Sequence, residues 1–111
     1  MQINELEKSV DVFSQAIQIN PQSSDLYNDR GTAYLSLGKY EQALEDFNTS
    51  LRLDPENFSA LFNRGQIYIL ENEYTRATED FQKVLERDPQ NVTALQKMEE
   101  IRRKNPASHP R

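Results

Sequence analysis

Three prolines set the frame of this chain: Pro21, Pro55 and Pro89 stand 34 residues apart, each preceded by Asn20, Asp54 or Asp88. Phe13, Phe47 and Phe81 keep the same interval, as do Arg30/Arg64, Gly31/Gly65, Tyr34/Tyr68, Tyr40/Tyr74, Ala43/Ala77, Asp46/Asp80 and Asn57/Asn91. Residues 24–57 and 58–91 agree at 12 of 34 ungapped positions, where average residue usage gives about two by chance. Self-similarity at such a period means one helical or strand unit stacked on copies of itself, each burying a face it cannot bury alone. Most globular architectures are excluded at once.

Within each unit the apolar spacing is helical. Tyr27, Gly31, Tyr34 and Leu37 follow a three-and-four pattern, and Tyr40, Ala43, Leu44, Phe47, Leu51 and Leu53 repeat it. Gly38 between the two runs suits a left-handed helix stop, and Asn72, the next-best residue for that conformation, holds the same slot in the second unit. Asn57 and Asn91 are placed to cap the helices after each proline, with Ser24 or Asp25 doing so for the first. The spacing predicts paired antiparallel helices over 24–37 and 40–53, then 58–70 and 74–87, then a last helix near 92–104. Glycine inside a helix costs about 1 kcal/mol against alanine. Gly31 and Gly65 in the same slot therefore imply a close approach by the second helix of each pair, helped by Ala43 and Ala77. Tyr34, Tyr40 and Phe47, with their repeats, read as core.

These residues resemble the tetratricopeptide repeat: small residues at Gly31 and Ala43, aromatics at Tyr34, Tyr40 and Phe47, and Pro55 closing the unit, with Gly65, Ala77, Tyr68, Tyr74, Phe81 and Pro89 in the next. The resemblance implies an all-α, right-handed superhelical repeat (a tetratricopeptide solenoid) of about six helices. The expected organisation is one such domain over 1–111. It has a half repeat at 3–21, full repeats at 24–57 and 58–91, a capping helix at 92–104 and a flexible tail at 105–111. Arg30 and Arg64 depart from the family's usual Leu, and Ser50 and Val84 from its usual Ala. Asp46 and Asp80 recur in step with the arginines, which predicts Arg30–Asp46 and Arg64–Asp80 contacts.

At the N-terminus Asn4, Leu6, Val10, Phe13, Ala16, Ile17 and Pro21 match only the second half of a unit. Either the chain is an excerpt of a longer array, or a partner or second copy covers this orphan face. In the last helix Leu95 and Met98 are expected on the buried side, with Gln96, Lys97, Glu99, Glu100, Arg102 and Arg103 elsewhere, as in a polar cap.

The family resemblance implies a concave groove, lined by the first helix of each pair, that holds an extended peptide or partner helix. The matching positions are Asp25, Asn28, Asp29, Thr32 and Ser36, then Ser59, Phe62, Asn63, Gln66, Ile69 and Leu70, then Thr93, Gln96, Lys97 and Glu100. Asn28, Thr32, Phe62, Asn63, Gln66, Ile69 and Lys97 are the expected peptide-binding set, because amides offer donor and acceptor to a peptide backbone and exposed apolar residues anchor partners. Phe62 has a second reading, packed against the neighbouring helix. The family's carboxylate clamp for chaperone tails ending in Glu-Glu-Val-Asp needs Lys and Asn, then Asn, then Lys and Arg. Here Asn28 and Thr32, Asn63, and Thr93 and Lys97 stand in those places, and only Asn63 and Lys97 fit. Asp25 and Asp29 would repel a bare carboxylate, so such tails are not expected as ligands.

Net charge is −5, distributed as −6 over residues 1–57, −2 over 58–91 and +3 over 92–111. Nucleic-acid binding needs clustered Lys and Arg and is not expected. No stretch reaches the roughly 20 apolar residues of a membrane span, and with no secretory signal the default setting is cytoplasmic. With Cys 0 and His 1 there is no thiolate, no zinc knuckle and only His109 in the tail, so no catalytic residue, metal site or cofactor is expected. Glu45-Asp46 and Glu79-Asp80 are neighbours on a helix and point about 100° apart, unsuited to flanking one bond. The expected function is a protein- or peptide-binding scaffold. The alternative is an architectural module that self-associates through its N-terminal half repeat, and a basic patch of Lys97, Arg103 and Lys104 gripping acidic peptides is a third reading.

Overall fold

The computed structural model describes residues 3–105; the expected tail beyond Asn105, with His109, lies outside them. Six helices follow in order: α1 (Ile3–Ile19), α2 (Ser24–Ser36), α3 (Tyr40–Leu53), α4 (Phe58–Leu70), α5 (Tyr74–Arg87) and α6 (Val92–Lys104). Helices α2 to α6 agree with the sequence-derived spans to within a residue. The chain forms two compact units, residues 1–60 and 61–111, so the boundary falls inside α4.

Turn chemistry fixes where helices stop. Gly38 and Asn72 adopt left-handed φ values of 76° and 62°. Around each, two backbone bonds close the same motif: Gly38 N–H donates to Leu35 and Lys39 N–H to Tyr34, as Asn72 N–H does to Ile69 and Glu73 N–H to Tyr68. These are the paired bonds of a Schellman stop, which satisfy carbonyls the helix end leaves open. At the other turn Asn57 N–H donates to the Asp54 carbonyl and Asn91 N–H to Asp88, with Pro55 and Pro89 preset for the first central position of a β-turn. Asn57 and Asn91 then cap α4 and α6 by accepting from Ala60 N–H at 3.1 Å and Ala94 N–H at 2.9 Å. The cap of α2 is not Ser24 or Asp25 but Ser23, whose hydroxyl accepts from Leu26 N–H at 3.3 Å.

In the first unit α2 packs on α1 and α3. The glycine reading holds: a Cβ on Gly31 would stand 2.7 Å from the Phe47 ring, and Ala43 and Phe47 are wholly buried. Arg30 lies across this contact. Its Nε and Nη2 donate to the two oxygens of Asp46 at 2.8 and 2.7 Å, and Nη1 donates to Ser14 Oγ at 3.2 Å. The guanidinium therefore ties α2 to both α3 and α1, between the faces of Tyr27 and Tyr34, each 5.8 Å away. Under α2, Ser24 Oγ donates to the Ser50 carbonyl and shares a bond with Ser50 Oγ, both at 2.8 Å. Asn57 Nδ2 reaches Ser24 Oγ, Asp25 Oδ1 and Ser50 Oγ at 2.8, 3.2 and 3.2 Å. Ser50 is thus a buried hydroxyl in a satisfied cluster.

The second unit repeats the lock. Arg64 donates to Asp80 at 2.9 and 2.7 Å, and a Cβ on Gly65 would stand 2.8 Å from the Phe81 ring. Arg64 lies 5.6 Å from the Tyr68 centroid. Tyrosine departs from the core reading: Tyr34, Tyr68 and Tyr74 are half-buried and Tyr40 is exposed. Of these, Tyr34 and Tyr68 stand beside Arg30 and Arg64. On α6 the buried residues are Ala94 and Ile101, Met98 is half-buried, and Leu95, expected inside, is exposed. Ala94 and Ile101 are seven residues, two turns, apart; Leu95 lies about 100° off that line.

Gly31→Val is expected to lower unfolding free energy by at least about 2 kcal/mol through overpacking against Phe47. Adding Phe47→Leu should recover part of that loss in urea unfolding, and an additive double variant would contradict the contact. Arg30→Leu leaves the buried Asp46 carboxylate unpaired and should cost about 3 kcal/mol. Asp46→Val in the same chain should restore most of it.

Candidate functional site

The exposed surface of α2 is a narrow strip. At 100° per residue, Asp25, Asp29, Thr32 and Ser36 fall within an arc of about 60° on α2, and all four are exposed. Asn28 lies beside this strip and is only 7% exposed. Its Nδ2 donates to Ser59 Oγ at 3.0 Å, and its backbone carbonyl accepts from Thr32 Oγ1 at 2.8 Å. Asn28 is therefore a structural amide committed to the fold, which removes it as a free contact for a ligand; Thr32 keeps its place on the surface.

Asp25 and Asp29 give the α2 strip its charge. Partial burial, and then the neighbouring Asp25 carboxylate, push the Asp29 carboxyl above its usual range. A cation settling here relieves that penalty, whereas an anion deepens it.

In the second unit the corresponding slots of α4 hold Asn63, Gln66 and Leu70. Asn63 and Gln66 are half-buried and Leu70 is 57% exposed. Phe62 flanks them, half-buried, with its ring edge-to-face on Phe81 at 5.3 Å and 82°. Both readings of Phe62 are thus partly met: one side packs on α5 and the other is open. Ile69 is a correction. It is 4% exposed, because it continues the Leu61–Gly65 line, one turn beyond the glycine that meets Phe81. Leu70, one residue on, carries the apolar surface instead.

On α6 the same slots hold Thr93, Lys97, Glu100 and Lys104. Lys97 pairs with Glu100 at 3.5 Å and Lys104 with Glu100 at 3.0 Å. The Lys104 ammonium, and behind it Lys97, holds the Glu100 carboxyl below its ordinary range. This strip is internally balanced rather than a bare cationic grip. Elsewhere in the second unit a recess of about 300 Å³ is lined by Arg64, Glu79, Asp80, Gln82, Lys83 and Glu86, where Arg64 and Asp80 are paired at 2.7 Å. Among the described residues no cluster of three or more His, Cys, Asp or Glu is placed to hold a metal, and no helix is long and apolar enough to cross a membrane.

The family profile described as tetratricopeptide repeat matches residues 28–92, and a second, described as TPR repeat, matches residues 1–38. No curated protein sequence matches the chain. Among solved structures, the Arabidopsis OM64 TPR domain is 29% identical over 91% of this chain and 84% of that one, with a TM-score of 0.86. The second TPR domain of human RPAP3, solved in complex with the HSP70 peptide SGPTIEEVD, is 26% identical over 89% and 82%, with a TM-score of 0.81. The first TPR of Spaghetti (RPAP3), solved bound to the HSP90 peptide SRMEEVD, is similar in fold, at 24% identity over 91% and 80% and a TM-score of 0.87.

The raised Asp29 pKa has a definite sign. An acid whose folded pKa exceeds its unfolded value destabilises the fold at pH above that folded value and is neutral at pH below the unfolded one. Asp29→Asn should therefore raise thermal stability slightly at pH 7, and the gain should disappear as the pH falls through the carboxylate range. A gain that grows on acidification would contradict this account.

Proposed function

We propose that this chain, which belongs to the tetratricopeptide repeat family, is a protein-interaction module without catalytic activity in which the exposed strip of a first-type helix, each taken by itself, contacts a protein or peptide ligand. What carries the reading is the recurrence of those strips on α2 and α4: the fully exposed residues of these helices are Asp25, Asp29, Thr32 and Ser36 on one and Ser59 and Leu70, in the same slots, on the other. A helix with packed neighbours and a constant open strip is suited to surface recognition, and its side chains set what it recognises.

The ligand chemistry follows strip by strip. Asp25 and Asp29 on α2 favour a basic residue. Phe62 and Leu70 on α4 offer an apolar anchor, with Asn63 and Gln66 beside them to hydrogen-bond an extended backbone. The Asn63, Phe62 and Leu70 group is the part of the surface most suited to energetic anchoring. Similar domains hold chaperone peptides ending in EEVD, yet the acidic strip on α2 disfavours a multiply anionic tail, and Lys97 already shares Glu100. A basic segment is the better complement to α2, and an apolar one to α4.

A competing architectural role, stacking on further repeats or a second copy, predicts concentration-dependent mass in sedimentation. A concentration-independent monomer weakens it.

Peptide display against the chain should enrich basic sequences and sequences with an aliphatic or aromatic anchor. Phe62→Ala with Asn63→Ala should weaken a selected peptide at least about tenfold, or about 1.4 kcal/mol. Asp25→Lys with Asp29→Lys should shift the selection toward acidic peptides. Selection of Glu-Glu-Val-Asp tails by the unaltered chain, indifferent to these substitutions, would defeat the proposal.

A further inference from the structure

The opening residues of α4 belong to the first unit, and a side-chain hydrogen bond ties them to α2. Asn28 Nδ2 donates to Ser59 Oγ at 3.0 Å. The amide is buried, at 7% exposure, whereas Ser59 is exposed, in the α4 slot that Asp25 holds on α2. The repeat does not call for this bond. One period on, Phe62 stands in the place of Asn28 and Thr93 in that of Ser59, and a phenyl ring has no proton to donate to a hydroxyl oxygen. The glycine contacts and the Arg–Asp pairs recur in both repeats; this amide–hydroxyl pair does not.

Its direction matters more than its length. A hydroxyl has one proton to give and two lone pairs to accept with, while an amide nitrogen only gives. Ser59 therefore spends a lone pair on Asn28 and keeps its proton, which is held away from the amide N–H. Among the described residues Ser59 Oγ makes no other hydrogen bond. The first unit thus presents an outward O–H close to its carboxylates, since Asp29 follows Asn28 directly and Asp25 precedes it by about one turn. An oxyanion brought to that O–H meets those charges and is repelled. A neutral backbone carbonyl is not, and an extended peptide supplies one at every residue.

Resting on the reading that the α2 strip meets a basic peptide, we infer that the Ser59 hydroxyl donates to a backbone carbonyl of that peptide, and that buried Asn28 is the positioning residue that keeps its proton turned outward. A basic side chain of the ligand then meets Asp25 and Asp29 while its main chain is held at Ser59. Asn28 touches no ligand in this arrangement; its effect on binding runs through Ser59 alone.

The probes are synthetic peptides taken from the basic sequences that display enriches on the full chain, with binding read by fluorescence anisotropy. Ser59→Ala should weaken them about fivefold, as loss of one neutral hydrogen bond does, and Ser59→Thr should keep the affinity. Asn28→Asp, its fold checked by thermal melting, sets a pure acceptor behind Ser59 and turns the proton inward. It should weaken the same peptides about as much as Ser59→Ala does, although added negative charge alone would tighten them. Joined to Ser59→Ala it should weaken them no further. A thiocarbonyl is a poorer acceptor than a carbonyl. Replacing the peptide's carbonyls one at a time should therefore reveal a position that matters to the unaltered chain and not to Ser59→Ala, a comparison that leaves the buried amide intact. Unchanged affinity in Ser59→Ala, tighter binding by Asn28→Asp, or the absence of such a carbonyl overturns the inference and leaves the peptide-binding role standing. Display that enriches no basic sequence overturns both.

Discussion

A bare backbone pressed on an aromatic ring governs the geometry of both units. Gly31 over Phe47 and Gly65 over Phe81 leave no room for a methyl group, so the two helices of a pair meet at backbone distance. Close approach buries the phenylalanine completely and admits only alanine at positions 43 and 77. It also brings Arg30 and Arg64 within a two-pronged grip of Asp46 and Asp80. The ion pair is thus a consequence of the contact. It in turn makes the pairing directional, because a bidentate fork tolerates little sliding. The left-handed stops at Gly38 and Asn72 return the chain at the place where this meeting happens.

With the pairing fixed, α2 and α4 are each left with one narrow side open while α6 is open more widely, and the same slots carry a different chemistry on each. Carboxylates stand on α2, amides and an exposed leucine on α4, and a self-balanced Lys-Glu-Lys group on α6. None of these residues is needed for the backbone contact. They are the positions at which a scaffold of this type is able to change its partner without changing its fold.

Most of this was legible from periodicity, since the residues that make the fold are also those that repeat. The helix spans, the glycine contacts, the left-handed stops and the Arg–Asp pairs all follow from what 34-residue spacing holds constant. What periodicity misread were residues judged by type rather than by angle. Ile69 and Leu70 are both aliphatic, and only their 100° separation sends one inward and the other out. Asn28 looked like a ligand amide because Asn commonly is; its burial depends on Ser59, 31 residues away. Tyr40 and Leu95 have the apolar character of buried residues, yet both reach water.

The hydroxyl and amide cluster beneath α2 bears on misassembly. Repeat arrays built from near-copies run the risk that a helix docks on the wrong copy during folding, or trades places between molecules. Here Ser24, Ser50 and Asn57 satisfy one another, while the second repeat has Phe58 and Val84 in place of the two serines. Set α2 on α5, and the Ser24 hydroxyl meets a valine; set α4 on α3, and a phenyl ring meets Ser50. Either exchange strands a polar group or overfills its pocket. A pair of serines thus acts as a key, and two units that share their backbone contact are not interchangeable.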